Sequence, residues 1–234
     1  MTDRPLSFLF LGHCSHTDLF AEHLARTGAG TVTTDPRHAD AVCVFERDAA
    51  THAELALPHL RAGRPVFVDK PAALLACDVA RMLEAGAVTS FSTLRWAPGL
   101  DALAGAVAVR VTGPARATDP SGAAFYAVHA VEIAHQICGG TPTEPDVRPQ
   151  GDGWLVTYRL GAAAVELDVA AGREDWTVEA TLPDGRRADL RISAGPGYYE
   201  PACAQILEFA RTRRSPVAPA GLLGVAEVVE ALGA

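Results

Sequence analysis

The sequence predicts an α/β protein: an N-terminal Rossmann-like parallel sheet followed by an α+β domain with a mostly antiparallel sheet. Strand and helix signals alternate over residues 1–88, the pattern of βαβ units and a doubly wound sheet. Four strand signals then run consecutively between Trp154 and Ile192, the pattern of an antiparallel sheet. One apolar strand, Val66 to Val68, ends abruptly in Asp69-Lys70-Pro71, as strands do at the ligand side of an open α/β sheet.

In chain order, Ser7 to Leu11 is the first strand. Thr17 to Arg26 is an amphipathic helix with Leu19, Phe20 and Leu24 on one face and Gly28 just past its end. Thr31 to Thr34 is a short strand and Ala41 to Phe45 a stronger one. Thr51 to Ala62 is a helix stopped by Gly63; Val66 to Val68 is a strand and Leu74 to Glu84 a helix. The pattern changes near Thr89, which places the domains at 1–88 and 89–234. Thr89 to Leu94 and Val107 to Thr112 read as strands, and Phe125 to Cys138 as a helix ended by Gly139-Gly140. Trp154 to Leu160, Ala164 to Val169, Trp176 to Leu182 and Arg187 to Ile192 follow as strands, with a hairpin turn at Pro183-Asp184-Gly185. Pro201 to Arg213 and Gly221 to Leu232 close the chain as helices.

The 234 residues suffice for one large domain or two small ones, and 49% hydrophobic residues supply a core. A net charge of −8 argues against a nucleic-acid partner, which needs a basic face. No stretch approaches the ~20 apolar residues of a membrane span. Leu6 to Leu11 is apolar but short, and reads as a strand rather than a signal peptide. The five cysteines are odd in number, scattered and without C-x-x-C spacing, so neither a disulfide framework nor structural zinc is expected. A reducing cytoplasm fits, and the wealth of alanine, glycine and arginine points to a bacterial source.

Lys70 is the leading candidate for chemistry. A rigid strand presents it and a proline stops the chain behind it; the same residues also fit an ordinary solvated strand end. Gly12 stands where strand one meets helix one, the place for an anion-binding turn. The G-x-G-x-x-G fingerprint is not met, since His13-Cys14-Ser15-His16 follows, but Ser15 and His16 sit at the helix start beside any bound anion. Asp35 lies at the distance expected of a ribose-binding acid, though its residues favour an Asp-Pro turn. His13, Cys14 and His16 lack an evident distant partner, so no metal is expected. Tyr126, His129 and Glu132, spaced three apart, share one helix stripe; His135, six from His129, lies about 240° around and cannot join it. The stripe is either a satisfied core network or the wall of a cleft. Arg95, near the interdomain crossing, either anchors an anionic substrate group or makes a salt bridge.

These pieces, in this order, resemble the glucose–fructose oxidoreductase / inositol dehydrogenase / MocA family (Gfo/Idh/MocA) over nearly the whole chain. Lys70-Pro71 is similar to the family's Glu-Lys-Pro motif, with Asp69 in place of the glutamate. His52 matches the histidine of the cofactor-side motif before it. Arg95-Trp96-Ala97-Pro98 resembles the segment opening the second domain, and His129 the active-site histidine. A subgroup pattern is closer still: Gly-x-x-Ser-His-x-x-x-Phe-Ala at Gly12 to Ala21, and Tyr-x-x-His-x-x-Glu at Tyr126 to Glu132. The resemblance implies hydride transfer between NAD or NADP and a small polar substrate. Lys70 and His129 would handle the hydroxyl proton with Tyr126 in support. Gly12, Ser15, His16, Asp35, His52 and Asp69 would lie on the cofactor side, Arg95 and Glu132 on the substrate side. It also implies a homodimer through the C-terminal sheet; there Val156, Tyr158, Val165, Leu167 and Val169 predict an apolar open face, the alternative being a monomer with a polar face where Glu166 and Asp168 meet water. The chain departs from the family where Phe125 replaces an aspartate four residues before His129, and in the short segment from Gly28 to Asp40. Those departures keep two other readings in play: a cofactor-independent lyase, cyclase or isomerase using the same pocket, and a non-catalytic binding or scaffold protein.

Overall fold

In the computed structural model, which describes residues 4–115, 124–193, 195 and 197–233, the first half builds a parallel sheet. Its strands are β1 (Leu6–Leu11), β2 (Gly30–Thr33), β3 (Ala41–Val44), β4 (Val66–Val68) and β5 (Val88–Ser90), in the order β2-β1-β3-β4-β5. Helices α1 (Ser15–Thr27), α2 (His52–Arg61) and α3 (Ala76–Ala85) connect them. Every residue of β3 and β4 is buried, which explains their unbroken apolar runs. The register pairs Leu11 with Val44 and Val44 with Val68, so β1, β3 and β4 end at one level. The chain reverses its strand order between β1 and β3. A crevice outside the strand ends is therefore expected there, flanked by Gly12, Phe45 and Asp69.

The second half builds a six-stranded sheet from β6 (Ala108–Pro114), β7 (Asp146–Gln150), β8 (Gly153–Leu160), β9 (Ala163–Ala170), β10 (Trp176–Thr181) and β11 (Arg187–Ile192). The order is β11-β10-β6-β9-β8-β7, antiparallel except between β6 and β9. Helix α4 (Ala124–Cys138) packs on β6 and β9. Val156, Tyr158, Val165, Leu167 and Val169 all lie in the core that it helps to form. The expectation that these side chains make the open face apolar is therefore corrected. The alternate positions form that face, and they carry Arg110 paired with Glu166 and Asp168 at 3.1 Å each.

Helices α5 (Glu200–Thr212) and α6 (Pro219–Leu232) tie the halves together. Ala202, Ile206 and Leu207 of α5 enter the first core, although they follow the second sheet in sequence. Helix α6 divides its buried side chains, Leu222 and Ala226 going to the first core and Val225, Val228 and Leu232 to the second. The change of sheet near residue 88 thus does not divide the two cores cleanly. Two further differences from the sequence reading, the end of β5 and the presence of β7, have local causes. The strand expected to Leu94 stops at Ser90, because Ser92 Oγ accepts the Leu94 N–H at 3.1 Å and caps a 3-10 turn over Thr93–Trp96. Asp35 caps the turn after β2 by accepting the Arg37 N–H at 2.9 Å, in line with its Asp-Pro turn reading. Strand β7 was not foreseen; it is a largely exposed edge strand containing Pro149, and has no alternation to reveal it. Among the described residues, no helix is long and apolar enough to cross a membrane.

The α4–α6 crossing buries His135. A Cβ at Gly224 would lie 2.8 Å from Pro142 Cδ and 3.0 Å from the His135 ring, so the glycine makes room for the close approach. Among the described residues His135 Nε2 has no partner, and burial, with Arg95 adding to it, lowers the ring pKa from 6.5 to about 3. Between those values the unfolded chain binds one proton more than the folded one, so stability falls as pH falls from 6.5 towards 3. The slope contributed by this ring is up to about 1.4 kcal/mol per pH unit. His135→Leu is expected to flatten that acid limb relative to the parent, read as the difference in urea unfolding free energy at pH 7 and at pH 4.5. Parallel pH profiles for the two proteins would contradict it.

Candidate active site

The β1 exit is shaped by Gly12, whose φ is +74°. A Cβ there would stand 2.6 Å from Glu46 Cα, so the glycine is required by the loop after β3 packing against it. Behind it α1 begins, with Cys14 as its N-cap residue and the Cys14 N–H donating to Thr17 Oγ1 at 3.0 Å. From β4, the Asp69 N–H donates to the Val44 carbonyl at 2.9 Å, and the side chain meets α1. His16 Nδ1 lies 2.9 Å from both Asp69 carboxylate oxygens, and Cys14 Sγ lies 3.7 Å from Oδ2. Burial opposes charge on both members of the His16–Asp69 pair, but their mutual attraction outweighs it. His16 is raised to about 9, and Asp69 is held below the usual carboxylate range. The Tyr199 ring stacks on His16 at 5.2 Å.

One residue on, Lys70 is buried, with its Nζ 3.5 Å from the centre of the Phe125 ring. The Arg47 guanidinium lies 4.7 Å from the same ring. Phe125, which stands where the resembled family has an aspartate, thus offers a π face to the lysine in place of a carboxylate. One turn along α4, His129 Nδ1 meets Ser92 Oγ at 2.6 Å, which leaves Nε2 as the nitrogen available to a ligand. Burial first, then the charges of Lys70 and His16, lower its pKa well below 6.5, so the ring is neutral at pH 7. Tyr126 and Trp176 flank it, their ring centres 6.1 and 5.5 Å away.

A cavity of about 290 Å³ opens among these groups, and Ser15, His16, Asp69, Lys70, Tyr126 and His129 all line it. A larger cleft, about 970 Å³, borders it through Pro114, Tyr126 and Glu174. The remaining expected site residues lie outside the cavity lining. Gly12 supports the turn behind it. Asp35, besides capping its turn, pairs with Arg37 at 2.8 Å. His52 is fully buried, its two ring nitrogens 2.9 Å from the Pro71 carbonyl and 2.7 Å from that of Glu46, and it braces the loops under Lys70. Arg95 and Glu132, expected on the substrate side, are buried against each other, with Arg95 also donating to Gln136 Oε1 at 3.1 Å. Their charges are spent across the interface between α4 and the Thr93–Trp96 turn, which corrects that expectation. The sequence reading missed Trp176 and Tyr199, which carry no local signal. It noted Cys14 in the Gly12–His16 cluster without a distant partner, and Asp69 is that partner.

No protein-family model matches the sequence, and no curated protein matches it. Solved structures do match in fold. A Gfo/Idh/MocA family oxidoreductase from Vibrio cholerae superposes with a TM-score of 0.70 at 14% identity, covering 97% of this chain and 97% of that one. UDP-N-acetylglucosamine 3-dehydrogenase from Acidithiobacillus ferrooxidans gives 0.76 at 10% identity, covering 98% and 97%. GenD2 from gentamicin A biosynthesis, solved in complex with NAD, gives 0.74 at 18% identity, covering 97% and 93%. The parallel sheet, the mixed second sheet and the helices that join them are therefore arranged as in the Gfo/Idh/MocA oxidoreductases, and this chain has their fold.

Proposed function

We propose that the chain is an oxidoreductase that moves a hydride between NAD or NADP and a small polar substrate such as a sugar, polyol or imine. The observation that carries this reading is the convergence of Lys70 and His129 on one cavity at the strand ends, in a fold shared with dehydrogenases. The residues for a dinucleotide are partly present. The N-terminus of α1 faces the crevice at the β1/β3 switch, where its dipole favours a pyrophosphate, and Asp35 follows β2 on the ribose side. When bound, the nicotinamide would accept or donate the hydride. The rest of the chemistry belongs to the chain. His129, neutral and oriented by Ser92, takes the proton of a substrate hydroxyl at Nε2. The Lys70 ammonium stabilises the negative charge that develops on the same oxygen. Calorimetry or saturation-transfer NMR with NAD, NADH, NADP and NADPH tests the reading directly. Binding of at least one is expected, and no binding of any at millimolar concentration removes it.

One observation favours a second reading. Gly12, the one glycine at the phosphate position, is fixed by packing on Glu46 rather than by room for a ligand, and the cavity has the volume of a small molecule alone. A lyase, cyclase or isomerase would use the same His129 as a base next to a carbonyl and need no nucleotide. Turnover that survives exhaustive removal of nucleotide would support it, and nicotinamide reduced in step with product would exclude it.

A further inference from the structure

We propose that Cys14, His16 and Asp69 form a binding site for a divalent transition-metal cation of the zinc class, in the wall of the cavity that Lys70 and His129 share. Their ligand atoms all lie within 4.8 Å of one another. Cys14 Sγ is 3.7 Å from Asp69 Oδ2, and His16 Nδ1 is 2.9 Å from the same carboxylate. Donors around a tetrahedral ion with bonds of about 2.0–2.3 Å stand roughly 3.3–3.7 Å apart, so small adjustments admit the ion. The donor set decides which ion. A thiolate, an imidazole and one carboxylate oxygen suit zinc or cobalt and discriminate against magnesium and calcium, which take oxygen ligands.

The three donors come from two rigid places, the start of α1 and the end of β4, 55 residues apart in sequence. Each is held from behind. Cys14 is fixed by its N–H bond to Thr17, His16 by the stacked Tyr199 ring, and Asp69 by its N–H bond to Val44. An entering ion displaces two protons to solvent, the one between His16 and Asp69 and the Cys14 thiol proton, and the dication supplies the counter-charge for the buried carboxylate and the thiolate. Lys70 does not compete for the position, because its ammonium lies over the Phe125 ring. All three donors line the cavity, which leaves a fourth position open to water or a ligand. The proposal stands whether or not a nicotinamide nucleotide binds.

The test uses the full chain after chelator treatment and dialysis, titrated with zinc chloride or cobalt chloride and no nucleotide present. One equivalent of zinc by elemental analysis, a raised thermal midpoint with zinc, and thiolate-to-cobalt charge-transfer absorption are expected. Cys14→Ser, which keeps a capping-competent side chain, and His16→Gln should each weaken binding by about tenfold or more. Cys77→Ser, at an exposed cysteine on α3, should bind like the parent. Far-ultraviolet circular dichroism checks that each variant is folded, and Cys14→Ser decides the matter if His16→Gln is not. Absence of stoichiometric binding by the parent, a cobalt spectrum without the thiolate band, or undiminished binding by Cys14→Ser would overturn the proposal, leaving a His16–Asp69 ion pair beside a thiol.

Discussion

Lys70→Ala and His129→Gln are each expected to lower kcat/KM by about 10²–10⁴-fold, the range for removing a positioned acid–base group. Both groups meet the cavity from fixed supports. Lys70 leaves a fully buried strand and rests on Phe125, and His129 is held through Nδ1 by Ser92. Alanine removes the buried ammonium outright, and glutamine can retain a hydrogen bond to Ser92, so unfolding is not the expected cause of lost activity. The pH profile adds a second readout. Because burial and Lys70 keep His129 neutral well below pH 6.5, the parent's acid limb should lie below that pH rather than at it. The measurement is steady-state absorbance of reduced nicotinamide with a panel of sugars, polyols and imines, beside thermal melts of each variant. The proton-abstraction reading demands the same losses without nucleotide. A binding or scaffold role predicts none, so unchanged cellular function in both variants would turn the reading towards that role.

The parts of the fold that were legible in the sequence are those where burial is periodic. The apolar runs of β3 and β4 have no polar interruption because helices cover both faces of the sheet, and that pattern shows directly in Ala41–Val44 and Val66–Val68. Strand β7 lacks such a pattern because it lies at an edge, where solvent imposes none. Alternation in β8 and β9 showed that the second sheet has two faces. Which face meets α4 is decided by tertiary packing, and so the apolar side chains were assigned to the wrong one. At the site, Lys70 and His129 stood out through residue type and resemblance, and the fold places both on one cavity. Cys14 and Asp69 did not stand out as neighbours. They meet because β1 and β4 end at one level of a sheet whose order differs from the chain order, which no local spacing records. Arg95 and Glu132 misled for a related reason. A buried polar stripe needs partners, and from sequence a cleft and an ion pair satisfy that need equally well.

Glu132→Ala is expected to destabilise the fold by about 3–5 kcal/mol, because it leaves the Arg95 guanidinium buried without its counter-ion. That is a large share of the roughly 5–15 kcal/mol that holds an ordinary domain together. The pair is closed to solvent, with side-chain exposures of 6% for Arg95 and 3% for Glu132. Even with both partners present the balance is poor. Burial lifts the Glu132 carboxyl above its ordinary pKa despite the adjacent guanidinium, and Arg95 Nη2 has no hydrogen-bond partner among the described residues. Desolvation therefore offsets much of the attraction. It follows that removing both charges costs far less than removing one. The double variant Arg95→Met/Glu132→Leu, similar in volume and apolar, should recover most of the stability lost in Glu132→Ala. Urea unfolding of the parent, Arg95→Met, Glu132→Leu and the double variant closes the cycle. A substrate-binding role for the pair makes the opposite forecast: little change in stability for either single variant, and a raised KM in both. Strong, mutually cancelling losses of stability instead identify the pair as the joint that fixes α4, and with it His129, against the turn that carries Ser92.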